Sequence, residues 1–136
     1  MTSRVFPGDF SSLASIGDFI LECARLGGLD EKATYAVQLA VDEACSNIIE
    51  HAYGGEGKGE IALTCNLTGE GLEVVLSDWG DDFDPKAVPK LDIAAPLEET
   101  GDRGAGVFLM RKLMDEVRYE FSKAKGTTLV MLKKRN

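Results

Sequence analysis

Apolar residues fall into two kinds of rhythm along the chain. Arg4-Val5-Phe6 ahead of Pro7-Gly8 predicts a short strand ending in a turn, after which Ser11 or Ser12 can cap a helix running to about Leu26, where Gly27-Gly28 stops it. Asp30 is a natural N-cap for the next helix. From Glu31 to about Tyr53, Val37, Val41, Ala44, Ile48 and Ala52 recur at spacings of three and four, which places them on one helical face. A glycine-rich break from Gly54 to Gly59 then leads into two runs of β-formers, Glu60 to Leu67 and Leu72 to Ser77, separated by Gly69 to Gly71 in the manner of a hairpin.

Between Gly80 and Gly101 the rhythm dissolves. Three of the four prolines and many acids lie there, and such a patternless stretch inside a compact domain signals a functional lid or disorder. Helical spacing resumes from Gly106 to Met114 with Val107, Met110, Leu113 and Met114. Glu116 to Phe121 and Thr127 to Leu132 then alternate as two strands about a turn at Lys123 to Gly126. The order β, α, α, β, β, lid, α, β, β predicts an α+β two-layer sandwich, with a mixed, mostly antiparallel sheet covered on one face by helices. At 136 residues, with no internal repeat or linker, 1–136 is expected to be one domain.

Composition narrows the partners. A formal charge of −8 argues against nucleic acid, whose phosphates require clustered Lys and Arg. The one basic cluster, Lys133-Lys134-Arg135, suggests a solvated end of the chain. Cys23, Cys45 and Cys65 are odd in number and far apart, so neither a disulfide framework nor a zinc site is expected. No apolar run approaches the roughly 18 residues of a membrane span, and the start lacks a basic region followed by an apolar one. The expectation is a cytoplasmic protein with neither a membrane nor a nucleic-acid partner.

Four places could carry chemistry. Glu43, Asn47 and His51 form an i, i+4, i+8 row along the edge of the apolar helix face. An Asn oxygen suits Mg²⁺, which keeps several waters and takes few protein ligands besides phosphates. A Glu one turn earlier could accept a proton from an attacking hydroxyl, and His51 could line the same site. The plain alternative is a solvated helix edge with a hydrogen-bonded His near its end. Asp78-Trp79-Gly80 ends the run Val74-Val75-Leu76; a carboxylate there can accept the amine of adenine while Gly80 lets the base approach the backbone, or the two can simply make a turn. Gly101-Asp102-Arg103-Gly104-Ala105-Gly106 precedes a helix, where free N–H groups, the helix N-terminus and Arg103 would suit phosphate, although Gly-x-Gly before a helix is common. Gly126-Thr127 at the last strand is a turn unless it belongs with the others.

In this order the four resemble the boxes of the ATP-binding superfamily that includes gyrase, MutL and histidine kinases. The stretches AVDEACSNIIEHAY and FLMRKLMDEVRYEF look most like the anti-sigma-factor serine/threonine kinases of that superfamily. The resemblance implies a histidine-kinase-like, Bergerat-type ATP-binding fold using ATP and Mg²⁺. It implies Glu43 as general base, Asn47 as Mg²⁺ ligand and Asp78 as adenine reader. His51, Gly80, Phe83 and Val107 would also contact nucleotide, Arg103, Gly104, Ala105 and Gly106 would cradle phosphate, and Thr127 would lie near the base. The segment from about Phe83 to Arg103 would be the lid. Implied partners are an anti-sigma-factor antagonist phosphorylated on serine or threonine, a sigma factor, and a second copy of the chain in a homodimer. Two departures stand out: Asp82, within Asp81-Asp82-Phe83-Asp84, replaces a second glycine after Asp-x-Gly, and Ala105 stands where a larger aliphatic residue is common. These acids near the phosphates favour, as the alternative, a module that sequesters a partner without chemistry and with weak or no nucleotide binding.

Overall fold

A computed structural model describes residues 1–79, 108–122 and 126–135. The expected lid, Gly80, Phe83 and Arg103 to Val107 lie outside the described residues, as does the turn at 123–125. The described elements are β1 (Thr2–Pro7), α1 (Leu13–Leu26), α2 (Glu31–Asn47), β2 (Glu60–Leu67), β3 (Gly71–Asp78), β4 (Glu116–Ser122) and β5 (Gly126–Lys134). Residues 108–113 are helical.

Each helix begins and ends for a local reason. The expected serine cap of α1 is replaced by a 3-10 turn over Phe10–Ser12: Ser12 is already in helical conformation, its side chain makes no capping bond, and its N–H bonds the Asp9 carbonyl at 2.9 Å. At the other end Gly27 N–H bonds Cys23 O at 2.9 Å, and Gly28, at φ +74, turns the chain out. Asp30 does cap α2, its Oδ1 accepting from Ala33 N–H at 2.8 Å. α2 stops at Asn47, short of the expected end at Tyr53. Ile48–Ala52 continue as a π-helical turn, and Tyr53 N–H bonds Ile48 O at 2.9 Å, five residues back.

The sheet runs β1-β2-β3-β5-β4, and each of its four pairings is antiparallel. Register places Leu63 opposite Leu76 and Cys65 opposite Val74, with Leu76 opposite Leu129 and Val74 opposite Met131. Because side chains alternate across a strand, these residues share one face with Phe6 and Ile61, and all of them are buried. Ile16, Phe19, Ile20 and Cys23 of α1 and Val37, Ala40, Val41, Ala44 and Cys45 of α2 close over that face in one cluster. The other face carries cross-strand polar pairs such as Ser3 with Thr64 and Asn66 with Glu73. The three cysteines are free and buried, and burial pushes each thiol up from its ordinary range. Among the described residues no helix is long and apolar enough to cross a membrane.

The basic cluster near the C-terminus does structural work instead of being merely solvated. Lys133 Nζ donates to Leu113 O at 2.8 Å, at the end of the helical residues 108–113. Arg135 donates to Gly27 O at 3.1 Å, Thr68 O at 3.4 Å and Gly69 O at 2.6 Å. The planar guanidinium thus satisfies carbonyls at the end of α1 and in the β2–β3 turn together, a geometry a lysine cannot reproduce. Arg135→Ala is expected to lower the unfolding free energy by about 1 kcal/mol in urea denaturation, whereas Lys134→Ala changes it by less than about 0.5 kcal/mol.

Candidate functional site

The core face of the sheet ends in polar residues. Along β3 the inward positions are Leu72, Val74, Leu76 and then Asp78; along β5 they are Thr127, Leu129 and Met131. Register sets Asp78 directly opposite Thr127, so the apolar row Leu76–Leu129 is followed at the sheet's end by a carboxylate facing a hydroxyl. Asn47, the last residue of α2, lies over the same end. Exposure is 4% for Asp78, 5% for Thr127 and 8% for Asn47, three of the five buried polar side chains among the described residues.

These three line one cavity of about 20 Å³ together with Ala44, Ile48, Tyr119 and Leu129. That is the size of about one water and not of a purine. A buried polar group costs free energy unless it is hydrogen-bonded. Among the described residues Asn47 Nδ2 nevertheless has no partner.

Gly126 makes the Asp78–Thr127 pairing possible. It sits at φ +73, and a Cβ there would overlap the Asp78 carbonyl oxygen and press on the Trp79 ring. Glycine is therefore the residue that lets β5 begin against the strand end carrying Asp78.

The structure does not treat the other candidates alike. Glu43 is half-buried on α2, one turn before Asn47, but is not among the residues lining the cavity. His51 leaves the expected row because the π-helical turn after Asn47 changes the angle per residue. It is exposed, with Nε2 3.9 Å from Glu50 Oε2, and also does not line the cavity. Tyr119 and Leu129 were not among the sequence candidates. The alternation of β4 and β5, which pairs Tyr119 with Leu129, is the signal that would have placed them beside Asp78 and Thr127.

The family described as "Histidine kinase-like ATPase domain" matches residues 6–133. The chain is 36% identical over 101 residues to Serine-protein kinase RsbW of Bacillus velezensis, covering 71% of this chain and 62% of that protein. It is 31% identical over 118 residues to Serine-protein kinase RsbW of Bacillus licheniformis, covering 79% and 72% respectively. The chain thus spans about 62% to 72% of the length of these relatives. Among solved structures, the histidine kinase domain of a blue-light activated histidine kinase from Erythrobacter litoralis superposes with a TM-score of 0.55 at 17% identity, covering 89% of this chain and 58% of that one. That likeness concerns the fold alone.

Gly126→Ala is expected to destabilise the protein by at least about 1 kcal/mol, since alanine is strained at this φ and its methyl group has no space. Urea denaturation measures it; a loss below about 0.3 kcal/mol would show that β5 does not depend on this close approach.

Proposed function

Because this chain belongs to the histidine kinase-like ATPase family and is similar to the serine-protein kinases RsbW, we propose that it binds ATP with Mg²⁺ and phosphorylates a serine or threonine of a partner protein. The observation that carries this proposal is the convergence of Asn47, Asp78 and Thr127 on one buried cavity. Nothing in packing requires three polar side chains from α2, β3 and β5 to meet in the core; a polar ligand does.

Asp78 has the chemistry to read adenine. Its carboxylate only accepts hydrogen bonds when ionised, and the exocyclic amine of adenine donates. Guanine presents a carbonyl at that position, whose partial negative charge would face the carboxylate, which turns one contact into selectivity. Thr127, opposite Asp78 in the ladder, can both donate and accept beside the base.

The Asn47 amide fits Mg²⁺. It is buried and offers a neutral oxygen, and its nitrogen, which has no partner among the described residues, is a donor suited to a phosphate oxygen, while no group of three or more His, Cys, Asp or Glu among the described residues surrounds it as a closed cage would. A cation there would draw its remaining ligands from phosphate oxygens and water, as Mg²⁺ does. When bound, Mg²⁺ would offset the negative charge of the phosphates. Glu43, one turn earlier on the same helix, is proposed to orient the incoming hydroxyl and take its proton. Arg103 to Gly106 are proposed to hold the phosphates, and Phe83 to Arg103 to close over them. The protein substrate is proposed to be the antagonist of an anti-sigma factor, with a sigma factor as the second partner, as the resemblance of the sequence to the anti-sigma-factor serine/threonine kinases implies.

Two measurements test the assignment. In calorimetry with ATP and Mg²⁺, the wild type is expected to release heat, and Asp78→Asn to weaken binding by at least about tenfold, because the amide brings a donor to face the adenine amine. No heat from the wild type would overturn nucleotide binding in favour of a module that sequesters its partner without chemistry. Glu43→Ala should bind ATP as the wild type does but transfer phosphate to a co-purified partner about 10²–10⁴-fold more slowly. Normal transfer by that variant would remove Glu43 from the base role.

A further inference from the structure

The β2–β3 ladder stops early. Its last partners are Ala62 and Ser77, although β2 starts at Glu60 and β3 runs on to Asp78. The same register would next oppose Ile61 to Asp78 and then Glu60 to Trp79. The neighbouring ladders do continue to this end, with Pro7 paired to Glu60 on one side and Asp78 to Thr127 on the other. Among the described residues the sheet is therefore parted between β2 and β3, beside the residue proposed to read the base.

Tyr53 occupies the gap. Its hydroxyl accepts from the Trp79 N–H at 3.2 Å and donates to the Glu60 carbonyl, the two groups that a further rung would join directly. Burial pushes the phenol up from its ordinary range, so at neutral pH it keeps the proton it donates. The ring is seated against Gly8 and Gly59; a Cβ on Gly59 would overlap it. The backbone of Tyr53 closes the π-helical turn that starts just after Asn47.

We infer that Tyr53 is a positioning residue for adenine recognition: its hydroxyl, inserted between β2 and β3, holds the strand end carrying Asp78 at a set distance from the end of α2 carrying Asn47. This inference rests on the nucleotide proposal above. Tyr53 touches neither base nor phosphate in this assignment; it acts through the Trp79 amide, one residue beyond Asp78. Without the hydroxyl, the Trp79 N–H and Glu60 C=O are free to bond each other. The β2–β3 ladder then closes by one more rung, and Asp78 moves toward β2.

The test is Tyr53→Phe, which keeps the ring against Gly8 and Gly59 and removes only the hydroxyl. Dissociation constants for ATP and for GTP, each with Mg²⁺, are measured on wild type and variant, with the unfolding midpoint of each protein recorded without nucleotide. ATP affinity is expected to fall about tenfold while GTP affinity, which lacks the Asp78 contact, stays within about twofold, so the preference for ATP shrinks by nearly the same factor. A general packing role would weaken both nucleotides alike and lower the midpoint. Equal losses for ATP and GTP, or an unchanged preference, would overturn the inference while leaving the nucleotide site in place. A wild type that binds neither nucleotide would overturn the nucleotide proposal and, with it, the role given to Tyr53.

Discussion

The register between β3 and β5 is the constraint on which the rest depends. Side chains alternate strictly across a strand, so the pairing that sets Leu76 against Leu129 also commits Asp78 and Thr127 to the helix-facing side two residues later. A slip of one residue would turn Leu72, Val74 and Leu76 to the outer face and expose the carboxylate. The hydrophobic effect that buries three aliphatic side chains on β3 therefore also carries a charge-bearing group into the core. The candidate site is built by the same force that builds the fold, with polar residues at the last inward positions.

Over this floor the helical layer must come close, and its composition allows that. α2 presents Ala33, Ala40, Ala44 and Cys45 along with two valines, small side chains that let its backbone lie near the sheet. Asn47 follows them at the helix end, where the π-helical turn begins. π-helical turns are often found at functional positions because they redirect a helix without ending it. Here the change redirects His51 to the surface and brings Tyr53 against the start of β2 and the end of β3.

The apolar core and the polar candidate site are thus spatially separated. The apolar cluster between the helices and the sheet supplies most of the favourable burial, and Arg135 fastens the opposite end of the molecule by joining the end of α1 to the β2–β3 turn. The polar end of the sheet contributes little to that burial, and among the described residues it leaves the Asn47 amide donor unmet, at a small cost in stability.

Much of this was legible in the residues themselves. Periodicities of 3.6 and 2 located both long helices and the four strands after them, and Asp30 declared its capping role, because these features depend on local geometry. Asn47, Asp78 and Thr127 could be singled out as chemically suited residues, since polar groups at the edge or end of an apolar pattern are visible in one dimension. Their meeting in a single cavity was decided only by strand register and helix placement, which join positions up to 80 residues apart and leave no local trace. The π-helical turn, the displaced His51, the part of Arg135 and the wedge made by Tyr53 were likewise hidden. Arg135 and Tyr53 depend on backbone groups supplied by distant segments, and a sequence does not state which carbonyl or amide will be within reach; the π-helical turn that displaces His51 is local, but the apolar spacing through Ile48 and Ala52 is that of an unbroken α-helix.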